Sequence, residues 1–91
     1  MDEAERALRA RYDAGELDME LGRAALAAYD AGDGRAERFG VGMMFGDLIA
    51  CGFAVRAGAM MGDVDAIGLE FACWPAVREA ATPKKGLPNG R

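Results

Sequence analysis

Gly42-Met43-Met44-Phe45-Gly46-Asp47-Leu48-Ile49-Ala50-Cys51-Gly52-Phe53-Ala54-Val55-Arg56-Ala57-Gly58-Ala59-Met60-Met61-Gly62 is the stretch on which the fold turns. Every fourth residue in it is small: Gly42, Gly46, Ala50, Ala54, Gly58 and Gly62. Residues four apart form one oblique ridge on a helix. A ridge of Gly and Ala lets a second backbone come close. Gly inside a helix costs about 1 kcal/mol relative to Ala, so several of them require a return, and close packing supplies it. A second small row follows at Gly68, Ala72, Ala76 and Ala80. The pattern predicts a helix from about Phe39 to Met61 and another from Asp63 to about Ala81, folded as an antiparallel hairpin about Gly62. The alternative start is near Asp47, with Gly40, Gly42 and Gly46 in loop or strand.

In that hairpin Cys51 and Cys73 lie 11 residues either side of Gly62, and Phe53 and Phe71 nine either side. Each pair is therefore level. Asp63 can cap the last helix, and Pro75 is expected to kink it or end it near Trp74.

Working outward, the N-terminal half predicts two shorter helices. The first runs from about Asp2 to Ala14, with acids in its first turn and Gly15 as its stop. The second runs from Asp18, read as an N-cap, to Ala31, and Gly32-Asp33-Gly34 breaks it. Ala10-Arg11-Tyr12-Asp13-Ala14-Gly15-Glu16 recurs, 17 residues on, as Ala27-Ala28-Tyr29-Asp30-Ala31-Gly32-Asp33. The plain explanation is one helix-ending signal used twice. The functional one is two acidic corners side by side, Asp13/Glu16/Glu20 and Asp30/Asp33/Glu37. A calcium loop does not fit, because Gly32 and Gly34 occupy positions that require oxygen ligands. The β-branched residues number seven in 91, which leans the chain away from strands.

The expected fold is thus an all-α bundle of about four helices, the last two a close-packed antiparallel hairpin with small residues at every fourth position. Residues 1–81 form one domain, and 82–91 form a basic, Pro- and Gly-containing tail. A chain this short buries only roughly 60–65% of its unfolded surface, which favours a partner or self-association.

Composition excludes several functions. The chain has no His, Ser or Gln, so the Ser–His triad and His acid/base chemistry are absent. Two Cys without His cannot build the usual zinc site. No metal or cofactor is expected. Residues 1–38 carry 10 acids and 6 bases, residues 39–80 carry 5 and 2, and the tail carries three bases and no acid. This body lacks the basic face of a nucleic-acid binder. A membrane span over 39–62 is disfavoured by Asp47, Arg56 and six Gly. Asp47 and Arg56 are expected on a solvated face. The opening Met1-Asp2-Glu3-Ala4-Glu5-Arg6 is acidic where a secretory signal requires bases, so a reducing cytoplasm is the expected setting.

The functional expectation is a non-enzymatic protein-binding module. Its first form is an acidic inhibitor or decoy from a mobile element, of the anti-CRISPR type, with Asp13, Glu16, Glu20, Asp30, Asp33 and Glu37 blocking a basic nucleic-acid-binding surface of a protein partner. Its rival is a structural or assembly subunit, of the phage assembly type and able to self-associate, anchored by Met43, Met44, Phe53 or Trp74. The third reading is a thiol redox protein using Cys51 and Cys73. Against it, buried Cys is commonly a small hydrophobe.

Overall fold

The structure, a computed structural model, describes residues 2–40 and 46–82. Five helices appear among them: α1 Glu3–Asp13, α2 Asp18–Asp30, α3 Gly34–Arg38, α4 Leu48–Met60 and α5 Val64–Ala81. No strand occurs among the described residues. The expected all-α bundle is present, and α4 and α5 form the expected hairpin about Gly62. The short α3 is an addition to the expected set. Of the two expected starts for the hairpin's first helix, the later one is found, with Asp47 as N-cap. Met43, Met44 and tail residues 83–91 lie outside the described residues.

Asp side chains start four of these helices. Asp2 accepts from the Glu5 amide, Asp33 from Arg35, Asp47 from Ala50, and Asp63 from both Asp65 and Ala66. Each satisfies amides that have no partner inside their own helix. Helix α2 is the exception. Its N-cap is Leu17, which makes no side-chain cap bond. The expected cap, Asp18, is already inside the helix, and its carboxylate is drawn to Arg56 of α4.

Glycine ends the helices. Gly15, Gly32 and Gly62 have φ of +85°, +95° and +88°. After each, the next amide reaches back five residues: Glu16 to Arg11 O, Asp33 to Ala28 O, and Asp63 to Gly58 O. These are three copies of one C-terminal motif that needs a left-handed residue. The 17-residue repeat is therefore accounted for as one helix stop used twice.

Helix α5 runs through Pro75 to Ala81, so of the expected kink or end near Trp74 the end does not occur. Pro75 and Phe71 both face water. The carbonyl that loses its helical partner belongs to Phe71, so it opens toward solvent and the helix survives.

The core gathers Leu8, Tyr12, Leu17, Leu21, Ala25, Ala36, Val55, Leu69 and Val77 with both cysteines. Helix α2 lies at its centre, packed against α3, α4 and α5. Among the described glycines, the tightest approach to another backbone is between α2 and α4. A Cβ on Gly22 would stand 1.8 Å from Leu48 O, and a Cβ on Gly52 would stand 1.8 Å from Asp18 O. Within the hairpin, Gly58 meets Ala66 and Phe39 closely. The small residues thus do separate jobs. Gly58 seats the hairpin and Gly52, which is outside the four-residue row, seats α2. A Cβ placed on Gly46 or Gly62 would have nothing within 4 Å, and Ala72, Ala76 and Ala80 are exposed.

Candidate functional site

Three features can carry a function: the charged corner where α1 meets α2, the groove between α1 and α5, and the exterior of the α4–α5 hairpin.

The corner is organised by Arg56. Its Nε donates to Asp18 Oδ1 at 2.7 Å and its Nη2 to Asp18 Oδ2 at 3.0 Å. The two side chains are only 12% and 8% exposed, which corrects the expectation of a solvated Arg56. The physical reason is position. Arg56 lies one turn beyond Gly52, and Asp18 one turn before Gly22, so the glycine crossing brings them together. Asp18 spends its carboxylate on this pair and not on a helix cap. The same guanidinium lies over Gly15, where a Cβ would be 2.8 Å from Nη2. The pairing with Asp18 pushes the Arg56 pKa further up. Asp47, by contrast, is exposed and caps α4.

The predicted acidic residues fall into two groups. Asp13, Glu16 and Glu20 sit around the start of α2, and Asp30, Asp33 and Glu37 around its end. Helix α2 sets these corners about 18 Å apart along its axis, so they are not side by side. Asp13, Glu16, Asp30 and Glu37 are exposed, and Glu20 is half-buried. Asp33 is committed internally. It caps α3 and pairs with Arg35 at 2.8 Å, whose hydrogen bonds hold its carboxyl below the usual range. Glu16 makes a loose 3.4 Å pair with Arg11.

The groove between α1 and α5 holds about 290 Å³ and is lined by Glu5, Arg9, Ile67, Glu70, Phe71 and Trp74. Trp74 was expected as an interface anchor, and the structure engages it within the chain. Its indole N–H donates to Glu5 Oε2 at 3.1 Å. Its ring meets Tyr12 edge to face at 5.5 Å, and Arg9 stacks over it at 4.5 Å. Tyr12 donates its hydroxyl to Glu70. Burial first, and Glu70 second, raise the Tyr12 pKa. These bonds fasten α1 to α5. The groove is at the lower edge of the roughly 300–1,000 Å³ of sites that enclose a small molecule.

Cys51 and Cys73 are both buried thiols within the core. Burial raises the pKa of each, that of Cys73 to about 11. A thiolate, the reactive form, is disfavoured at both positions.

The hairpin exterior stands apart. Among the described residues, eight large apolar side chains remain well exposed, and seven of them lie between Ile49 and Phe71. On α4 they are Ile49, Phe53 and Met60, at 53%, 54% and 68% exposure. Met61 and Val64 occupy the tip, and Ile67 and Phe71 lie on α5 along the α1–α5 groove. Phe53 stands out in the sequence as a candidate anchor. Ile49, Val64, Ile67 and Phe71 do not, although a signal is present: α4 and α5 are apolar on more than one face. A helix that is apolar all round belongs in an interior.

Among the described residues no helix is long and apolar enough to cross a membrane, and no three His, Cys, Asp or Glu side chains gather to hold a metal ion. Comparison with protein-family models, with curated proteins and with solved structures finds no match for this chain.

Proposed function

We infer that this chain is a non-enzymatic protein-binding module that works through the apolar exterior of its α4–α5 hairpin. One observation carries the reading: seven large apolar side chains are exposed on one supersecondary element, while α1 and α3 expose none among the described residues. Large apolar side chains left exposed in such number on one element mark protein interfaces. The reading corresponds to a structural or assembly subunit.

An acidic inhibitor of the anti-CRISPR type is the second reading. It draws on the exposure of Asp13, Glu16, Asp30 and Glu37. The two readings separate by salt. Apolar docking survives raised ionic strength, whereas an acidic decoy loses its partner steeply.

The test immobilises the full chain, recovers bound protein from the native host and repeats the capture with variants. Apolar docking predicts that Phe53→Glu and Phe71→Glu abolish capture, and that Glu16→Lys with Asp30→Lys leaves it intact. The opposite outcome, with steep salt dependence, sinks the apolar reading.

A further inference from the structure

The geometry points to the groove between α1 and α5 as the seat of an arginine side chain from a protein partner, its guanidinium on the Trp74 ring beside Glu5 and Glu70. This rests on the docking reading above for the source of the arginine, a protein, and shares Ile67 and Phe71 with it.

The first ground is an inverted order of polarity. Six residues line this groove of about 290 Å³. Ile67 and Phe71 are its exposed members, at 45% and 82%, while Glu5, Arg9, Glu70 and Trp74 are half-buried. Charged side chains ordinarily lie outside and apolar ones inside. An apolar rim above a charged floor fits a side chain with an apolar stem and a charged tip, and Lys and Arg are built that way.

The second ground is charge. Glu5 Oε2 accepts from the Trp74 indole N–H at 3.1 Å, and Glu70 Oε2 accepts from the Tyr12 hydroxyl. Both donors are neutral, so they aim the carboxylates without cancelling their charge. Among the described residues neither carboxylate is in an ion pair. The groove thus sets two acids against one base, in a chain of net charge −4. That balance favours a cation.

The third ground is the group that the ring already carries. The guanidinium carbon of Arg9 lies 4.5 Å from the centre of the Trp74 ring, so this face accepts a guanidinium. Arg9 reaches the ring but, among the described residues, pairs with neither carboxylate. An arginine entering from outside can do both. It stacks on Trp74, releasing Arg9 to water, and offers its fork of donors to Glu70 or Glu5. Lysine has neither the plane nor the fork, which favours arginine over it.

Trp74 is the only tryptophan of the chain, so its fluorescence reports on the groove. The probe is an acetylated peptide amide with one arginine between two leucines, titrated into the full chain, with circular dichroism to monitor the helices. The expected result is a saturable change in emission. A peptide with glutamine in place of the arginine should bind about tenfold more weakly, and one with lysine in between. Glu70→Gln, which keeps an acceptor for Tyr12, should weaken the arginine peptide about tenfold. Arg9→Met should tighten it severalfold. If Glu70→Gln loses helicity, Glu5→Gln takes its place with the same expectation. No saturable change, equal binding of the arginine and glutamine peptides, or indifference to the glutamate substitution overturns the proposal. If capture of host protein is lost on Phe53→Glu and Phe71→Glu while the peptide fails to saturate, the proposal falls and the docking reading stands. If capture ignores both substitutions, the docking reading falls, and with it a protein as the source of the arginine.

Discussion

Gly22 of α2 and Gly52 of α4 each press against the other helix's backbone, at the carbonyl one turn before the opposing glycine. A Cβ on Gly22 would meet Leu48 O, and a Cβ on Gly52 would meet Asp18 O. This reciprocal contact fixes the rotation of α4. It aims Arg56 at Asp18, turns Cys51 and Val55 into the core, and leaves Ile49, Phe53 and Met60 outside. The proposed docking surface is a consequence of where two glycines sit.

The Asp18–Arg56 pair should be costly to break and cheaper to replace. Arg56→Met leaves a carboxylate only 8% exposed without its partner. A loss of about 3 kcal/mol or more is expected in urea unfolding. Replacing both, Asp18→Leu with Arg56→Met, removes the orphaned charge and should cost less than Arg56→Met alone. A double variant as unstable as the sum of the two singles would contradict this account of the corner.

Acid should weaken the fold through the hairpin tip. Arg38 grips Asp63 with two 2.8 Å hydrogen bonds and holds its pKa at about 2, below the usual 3.8. Because the folded state binds this proton less readily than the unfolded chain, the unfolded chain gains protons first as pH falls. The contribution is whole above pH 3.8 and is lost as pH falls through about 2. Asp63→Asn should flatten the decline of the urea midpoint in that window. An unchanged slope would show that the Arg38 grip is not linked to folding.

The cysteines should be silent in the native state. With the Cys73 pKa near 11 and that of Cys51 also raised by burial, a thiol reagent at pH 8 should modify neither until denaturant is added, and then both. Rapid native-state modification of either would revive the thiol reading.

How far the sequence can be read follows from where each signal is local. Helix stops at Gly15, Gly32 and Gly62 and the cap at Asp63 are legible because their causes lie within a few residues. The all-α class is legible from the scarcity of β-branched residues. The role of Asp18 is not. A residue before a helix reads as a cap, and only the tertiary crossing shows that Arg56 claims it. The helix does not end at Pro75, because the cost of a helical proline depends on whether Phe71 faces water, which the pattern alone does not say. Gly22 and Gly52 escape notice since each is a single glycine, and their meaning exists only as a pair. The four-residue row points to close packing, but the tightest contact lies beside that row. As for the candidate site, Phe53 is legible as a large apolar residue. Ile49, Val64, Ile67 and Phe71 are not, because apolar helix residues are normally assigned to the core.

The measurement that tests the central claim most directly is the stability of Gly22→Ala, Gly52→Ala and the double variant, read by urea unfolding. In an open helix Gly→Ala stabilises by about 1 kcal/mol. At this crossing each added methyl invades the opposing backbone, so each single variant should lose about 2 kcal/mol or more. The double variant should lose clearly less than the sum, since the first methyl already forces the helices apart. Gly34→Ala, where a Cβ meets nothing within 4 Å, serves as the control and should stabilise by up to about 1 kcal/mol. Stabilisation by Gly52→Ala, or strict additivity of the two, would contradict the crossing and the outward face of α4 that depends on it.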